Sequence, residues 1–207
     1  MEKYQNAKKG FIKLTIGEIL IIIDSFTDLF KVDSFVFILV LLILSIIGLI
    51  INLKGLKLVA KDDAGYKRAR KWAIGSLVVV IVGVVVAGIA DIFSTSLGSA
   101  VSKLIQAGNS ACEFVASYFI VQTSIVILDK NEKLNLSSFA KKTLNLYLVS
   151  FLLGNIIYAF MIFDSPTLVM IAKVLSTAGS ILDLIAKLMY LIFLYKMYKI
   201  IPNEKGC

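Results

Sequence analysis

Apolar residues in this chain do not alternate with polar ones but gather into six long runs, at 11–30, 34–53, 72–93, about 109–128, 144–163 and about 176–195. A run of about twenty residues is long enough for a helix to cross the hydrocarbon of a bilayer. The second run carries no charge at all, and a water-soluble domain has nowhere to put such a face. The pattern predicts an all-α, polytopic integral membrane bundle of six transmembrane helices. The first run follows Lys8, Lys9 and Lys13 as a secretory signal would, but Glu18, Asp24 and Asp28 interrupt it and no A-x-A site follows. It is expected to remain as the first span.

The connections sort by charge. The N-terminus, the stretches 54–71 and 129–143 and the C-terminus hold most of the Lys and Arg, while Lys31, Lys103 and Lys173 lie near the opposite side. The positive-inside rule then places both termini in the cytoplasm. Each odd-numbered span is entered through a similar triplet, Ala7-Lys8-Lys9, Ala69-Arg70-Lys71 and Ala140-Lys141-Lys142, with Tyr4 and Tyr66 three residues upstream of the first two. The reading is one membrane domain over residues 1–207, built as three hairpin-like repeats at 1–62, 63–133 and 134–207.

A shift of 70 residues lays Lys103 on Lys173, Gln106 on Ser176, Ser110 on Ser180, Glu113 on Asp183 and Ser117 on Lys187. Steps of three and four put each set on one side of a helix. A polar stripe is costly against lipid, so Gln106, Ser110, Glu113 and Ser117, like their counterparts in span six, are expected to face the bundle interior or a partner. Glu18 and Lys187 both fall roughly 11–12 Å below the cytoplasmic ends of their helices at about 1.5 Å per residue, and Asp183 lies one turn from Lys187. Glu18, Asp183, Lys187 and Asn155, with Tyr190, are therefore expected to form an intramembrane polar centre. Asp24, Asp28 and Asp91 fall near outer helix ends and read as interfacial. Gly17, Gly83 and Gly154 are assigned to helix packing, Gly83 with Ala87 as a small-x-x-x-small pair. Pro166 and Pro202 lie between or beyond the spans and break none of them.

Composition narrows the chemistry. Of 207 residues 58% are hydrophobic and only 17% charged, and there is no histidine, which removes the usual general base and the commonest metal ligand. Cys112 and Cys207 form no C-x-x-C pair. No nucleotide loop, nucleophile elbow or zinc-protease motif is present, so neither enzyme activity, metal nor cofactor is expected. The formal charge of +8 sits between spans, where it reports topology and a meeting with anionic lipid rather than nucleic acid. The function expected is that of a small transporter, channel or substrate-binding membrane subunit. The alternative is a non-catalytic scaffold or accessory subunit that packs on a partner subunit or a second copy of itself. The Lys and Ile bias suggests a bacterial cell membrane.

Overall fold

The structure is a computed structural model and describes residues 5–30, 35–162 and 165–201. Among them every regular element is an α-helix: α1 (Gln5–Phe30), α2 (Phe35–Val59), α3 (Ala64–Phe93), α4 (Thr95–Lys130), α5 (Leu134–Ile162) and α6 (Pro166–Ile200). Helix is the form that satisfies every backbone group within one segment, as a lipid solvent demands. Among the described residues α3, α4 and α6, the last from Thr167, are long and apolar enough to cross a membrane. The chain is a helical membrane protein on that ground. Among the described residues α1, α2 and α5 do not meet this standard, against the expectation of six; α1 spreads Lys8, Lys9, Lys13, Glu18, Asp24 and Asp28 along its length.

The helices outrun the apolar runs. The stretch 94–108, read from sequence as a connection, is helical from Thr95 onward, and only Ser94 separates α3 from α4. Likewise 54–71 narrows to a turn between Val59 and Ala64, and 129–143 to one between Lys130 and Leu134. Hydropathy marks where a helix can lie in lipid, and a helix can continue past that point into water. The 36 residues of α4 are about 54 Å long at 1.5 Å per residue, against about 30 Å of hydrocarbon.

Neighbours in sequence pack as neighbours in space: α1 on α2, α3 on α4 and α5 on α6 most extensively, then α4 on α5 and α1 on α6, with a lighter seam between α2 and α3. The six therefore close a ring. Lipid is as apolar as leucine, so close approach rather than hydrophobic gain has to hold such a ring. On α1, Gly10 and Gly17 face Gly55 and Gly48 of α2; a methyl group added at Gly17 would sit 2.7 Å from the Gly48 carbonyl oxygen. Gly83 lies against Ile105 and Gly179 against Ile157, whereas a methyl group added at Gly154 would meet nothing within 4 Å among the described residues.

The sealed core sits at the basic end. Phe11, Val59, Tyr66, Val121, Phe193 and Leu194 are almost fully buried there, and so are Ala7, Ala69 and Ala140, the first residues of the three basic triplets. Phe11 meets Tyr66 edge to face at 5.9 Å. The Ser124 hydroxyl donates to the Ile120 carbonyl at 2.8 Å, so it is Tyr66 that donates in the 2.9 Å bond between the two hydroxyls. Asp62 at the end of the first hairpin accepts from the Ala7 N–H at 2.7 Å, and Lys8 donates to the Ile201 carbonyl at 2.7 Å. These bonds tie α1 to α2 and to the end of α6, each charge complementing the helix end it meets. Asp63 caps α3 by accepting from the Gly65 N–H at 2.7 Å.

Candidate functional site: a polar centre inside the ring

On α4, the side facing α3 carries Gly98, Ile105 and Cys112, which lie against Asp91, Gly83 and Gly75. Phe114 turns the other way, stacked on Phe151 of α5 at 4.7 Å. The row Gln106, Ser110, Glu113, Ser117 runs between those two sides, and one turn further the same row becomes Ile120, Val121, Ser124 and Leu128, all buried. Because a helix row keeps its direction, a row buried in the ring at one end points into the ring at the other. Gln106 and Glu113 are nonetheless open to water-sized access.

α6 repeats the arrangement. Ser176, Ser180, Asp183 and Lys187 continue into Tyr190, Leu194 and Met197, each of the last three sealed. Tyr190 and Ser117 are joined by a side-chain hydrogen bond, so both rows close at one level. Tyr147 of α5 lies at the same level, its ring 5.4 Å from that of Tyr190 and steeply inclined to it.

The ionisable residues of the bundle gather near this level. Lys187 pairs with Asp183 at 2.8 Å, and Asp183 also accepts from the Ser150 hydroxyl of α5 at 3.1 Å. Lys187 lies within electrostatic reach of both Glu113 and Glu18 as well. Glu18 is 8% exposed and accepts a 3.4 Å bond from the Asn52 amide of α2. Glu113 is held by a relay: Ser76 of α3 donates to the side-chain Oδ1 of Asn109 at 2.5 Å, and the Asn109 side-chain Nδ2 donates to Glu113 at 2.9 Å. All six helices thus contribute a side chain to one polar centre.

Of the residues assigned to the centre, Asp183 and Lys187 are in direct contact, and Glu18 lies within electrostatic reach of Lys187. Glu113, assigned from sequence to the stripe alone, belongs to the same group. Asn155 does not: its amide donates at 2.8 Å to the Phe151 carbonyl of its own helix, and among the described residues it has no bond to the other three. Ser150, Asn52, Asn109 and Tyr147 were missed: Ser150, Asn52 and Tyr147 lie in largely apolar stretches with nothing to mark their direction, and Asn109 stands beside the stripe rather than in its three-and-four spacing. Asp91 is exposed at the end of α3. The side chains of Asp24 and Asp28, and residues Tyr4, Lys31, Pro202 and Cys207, lie outside the described residues. No group of three potential ligands close enough to hold a metal ion occurs among the described residues.

No protein-family model matches the chain, and no curated protein or solved structure does.

Proposed function

We propose that the chain is a six-span membrane protein, both termini cytoplasmic, that binds a small solute in a vestibule at its polar centre, as a transporter or substrate-binding membrane subunit. The observation that carries this reading is the Asp183–Lys187 pair with Glu18 and Glu113, from two further helices, within electrostatic reach of the same ammonium. Charges at such depth are expensive, by about 2.5–3.5 kcal/mol each on the lenient insertion scale, and mark functional pathways by default. The three hairpins, each with its triplet alanine in the common core, support the repeat reading. Against the scaffold alternative, the α4 stripe is turned toward α6 of its own chain rather than outward to a partner. The Val-rich outer face of α3 suits lipid contact, with Val78, Val82 and Val85 more than half exposed.

At the basic end, Asn135, Leu136, Lys196, Lys199 and Ile200 line an open groove of about 250 Å³. That is below the roughly 300–1,000 Å³ of ordinary small-molecule sites, and two ammonium groups at a membrane edge suit an anionic lipid headgroup.

Cysteine accessibility tests the vestibule. In a background without Cys112 and Cys207, single cysteines at Ser110 and Val121 are exposed in intact cells to an impermeant thiol reagent. Reaction at position 110 from outside, with none at 121, is expected. An inert cysteine at 110 returns the argument to the scaffold, because a stripe closed to water binds no aqueous solute.

A further inference from the structure

We infer that the groove at the basic end holds one anionic phospholipid, its phosphate between Lys196 and Lys199 and an acyl chain along the outward face of α6. The site is separate from the polar centre; it rests on the headgroup reading of the groove and adds where the rest of the lipid lies.

On α6 the positions 174, 178, 181, 185, 188, 192 and 195 follow one another in steps of four and three, so they share one side of the helix. Val174, Ile181, Ile185, Leu188 and Ile192 in this row are each more than a third exposed. The row carries no charge; Lys173 stands just before it and Lys196 just after. Those two lysines are 196 − 173 = 23 residues apart, about 35 Å at 1.5 Å per residue, against about 30 Å of hydrocarbon. The outward side of α6 is therefore apolar for the thickness of the hydrocarbon and little more, with Tyr195 at its edge as an interfacial aromatic. Lys196, Lys199 and Ile200, which line the groove with Asn135 and Leu136 of α5, then stand at the level of the lipid headgroups.

Charge selects the headgroup. The Lys196 ammonium lies over the Phe139 ring of α5, 4.3 Å from its centroid, and that of Lys199 over Tyr195 at 4.8 Å. A ring face orients an ammonium group but does not cancel its charge. Among the described residues no carboxylate is within ion-pair distance of either lysine; the ion pairs present are Lys141–Asp129 and Lys187–Asp183. One phosphate between the two ammonium groups supplies the missing anion. A choline or ethanolamine headgroup would add a third cation to the two already there. Leu136 and Ile200 offer apolar walls beside the lysines, and the row below Tyr195 continues them; a soluble phosphate would use neither.

The test uses the full chain in neutral detergent, titrated with dioleoylphosphatidylglycerol, dioleoylphosphatidylcholine or glycerol 3-phosphate, and counts bound molecules per chain by native mass spectrometry. One phosphatidylglycerol per chain is expected to saturate first, at concentrations where the other two do not bind. Lys196→Gln with Lys199→Gln should raise the concentration needed about thirtyfold, while Lys61→Gln with Lys67→Gln, elsewhere at the basic end, should leave it unchanged. Phosphatidylcholine bound as readily as phosphatidylglycerol, equal losses in the two lysine pairs, or no saturable lipid at all overturns the inference. Glycerol 3-phosphate displacing phosphatidylglycerol at equal concentration overturns the lipid and leaves a site for soluble phosphate. None of these results touches the solute reading of the polar centre, which the cysteine labelling decides.

Discussion

Replacing Lys187 by Met removes the cation paired with Asp183 and leaves Glu18, Glu113 and Asp183 within electrostatic reach of one another without it. Breaking a fully buried pair by deleting one partner typically costs about 3–5 kcal/mol. Here the Lys187 side chain is 24% exposed and that of Asp183 42%, so water reaches the abandoned carboxylate and the loss should fall to about 1–3 kcal/mol. For a chain of this length that lowers the melting temperature by roughly 3–9 °C. The double change Asp183→Asn, Lys187→Met keeps the net charge of the centre at its original value and should recover most of the loss. The triple change Glu18→Gln, Asp183→Asn, Lys187→Met should recover at least as much while abolishing any solute effect on stability. The assay is the melting temperature of detergent-solubilised protein for the three variants beside the parent. If Lys187→Met melts with the parent, the ammonium was never held against its partners, and the polar centre has to be given up.

Three further outcomes are expected. Gly17→Ala should destabilise the first hairpin by about 1–3 kcal/mol through overpacking against Gly48, whereas Gly154→Ala, with open space around it, should be neutral or gain up to about 1 kcal/mol of helix propensity; thermal melts of the pair compare them directly. Single cysteines at Asp63 and Ser165 should react with an impermeant thiol reagent from opposite sides of the membrane, and labelling of both from one side contradicts the six-span topology. Lys196→Gln with Lys199→Gln should weaken the stabilisation given by phosphatidylglycerol micelles about thirtyfold in lipid concentration, against no change for Lys61→Gln with Lys67→Gln; equal losses in the two pairs mean general attraction rather than the groove.

Hydropathy located the helices because lipid imposes one requirement on every residue of a span, but it gave no sign that α4 begins at Thr95, since outside the hydrocarbon a helix needs no apolar run. The Asp183–Lys187 contact was readable because i,i+4 spacing fixes it within one helix. Glu113 was half readable: its equivalence to Asp183 gave the face but not the distance to Lys187. Asn155, whose amide bonds the Phe151 carbonyl of its own helix, had no such marker. Each residue step turns a helix by about 100°, so an error of one or two positions in a span with no polar stripe moves a side chain from the centre to the wall. The glycines show the same limit, as Gly17 and Gly154 read alike and only their neighbours distinguish them.

The order in which the centre can form follows from where its members sit along the chain. Glu18 and Lys187 are 187 − 18 = 169 residues apart, roughly ten to thirty seconds of synthesis at about 5–20 residues per second. During that interval the carboxylate of the first helix has to be tolerated without the ammonium of the last. Asn52, 34 residues on and in the same hairpin, reaches it long before Lys187 is made. The bond that looks secondary in the finished protein is then the first to be available, and the seam between α1 and α6 brings the two ends of the chain together last.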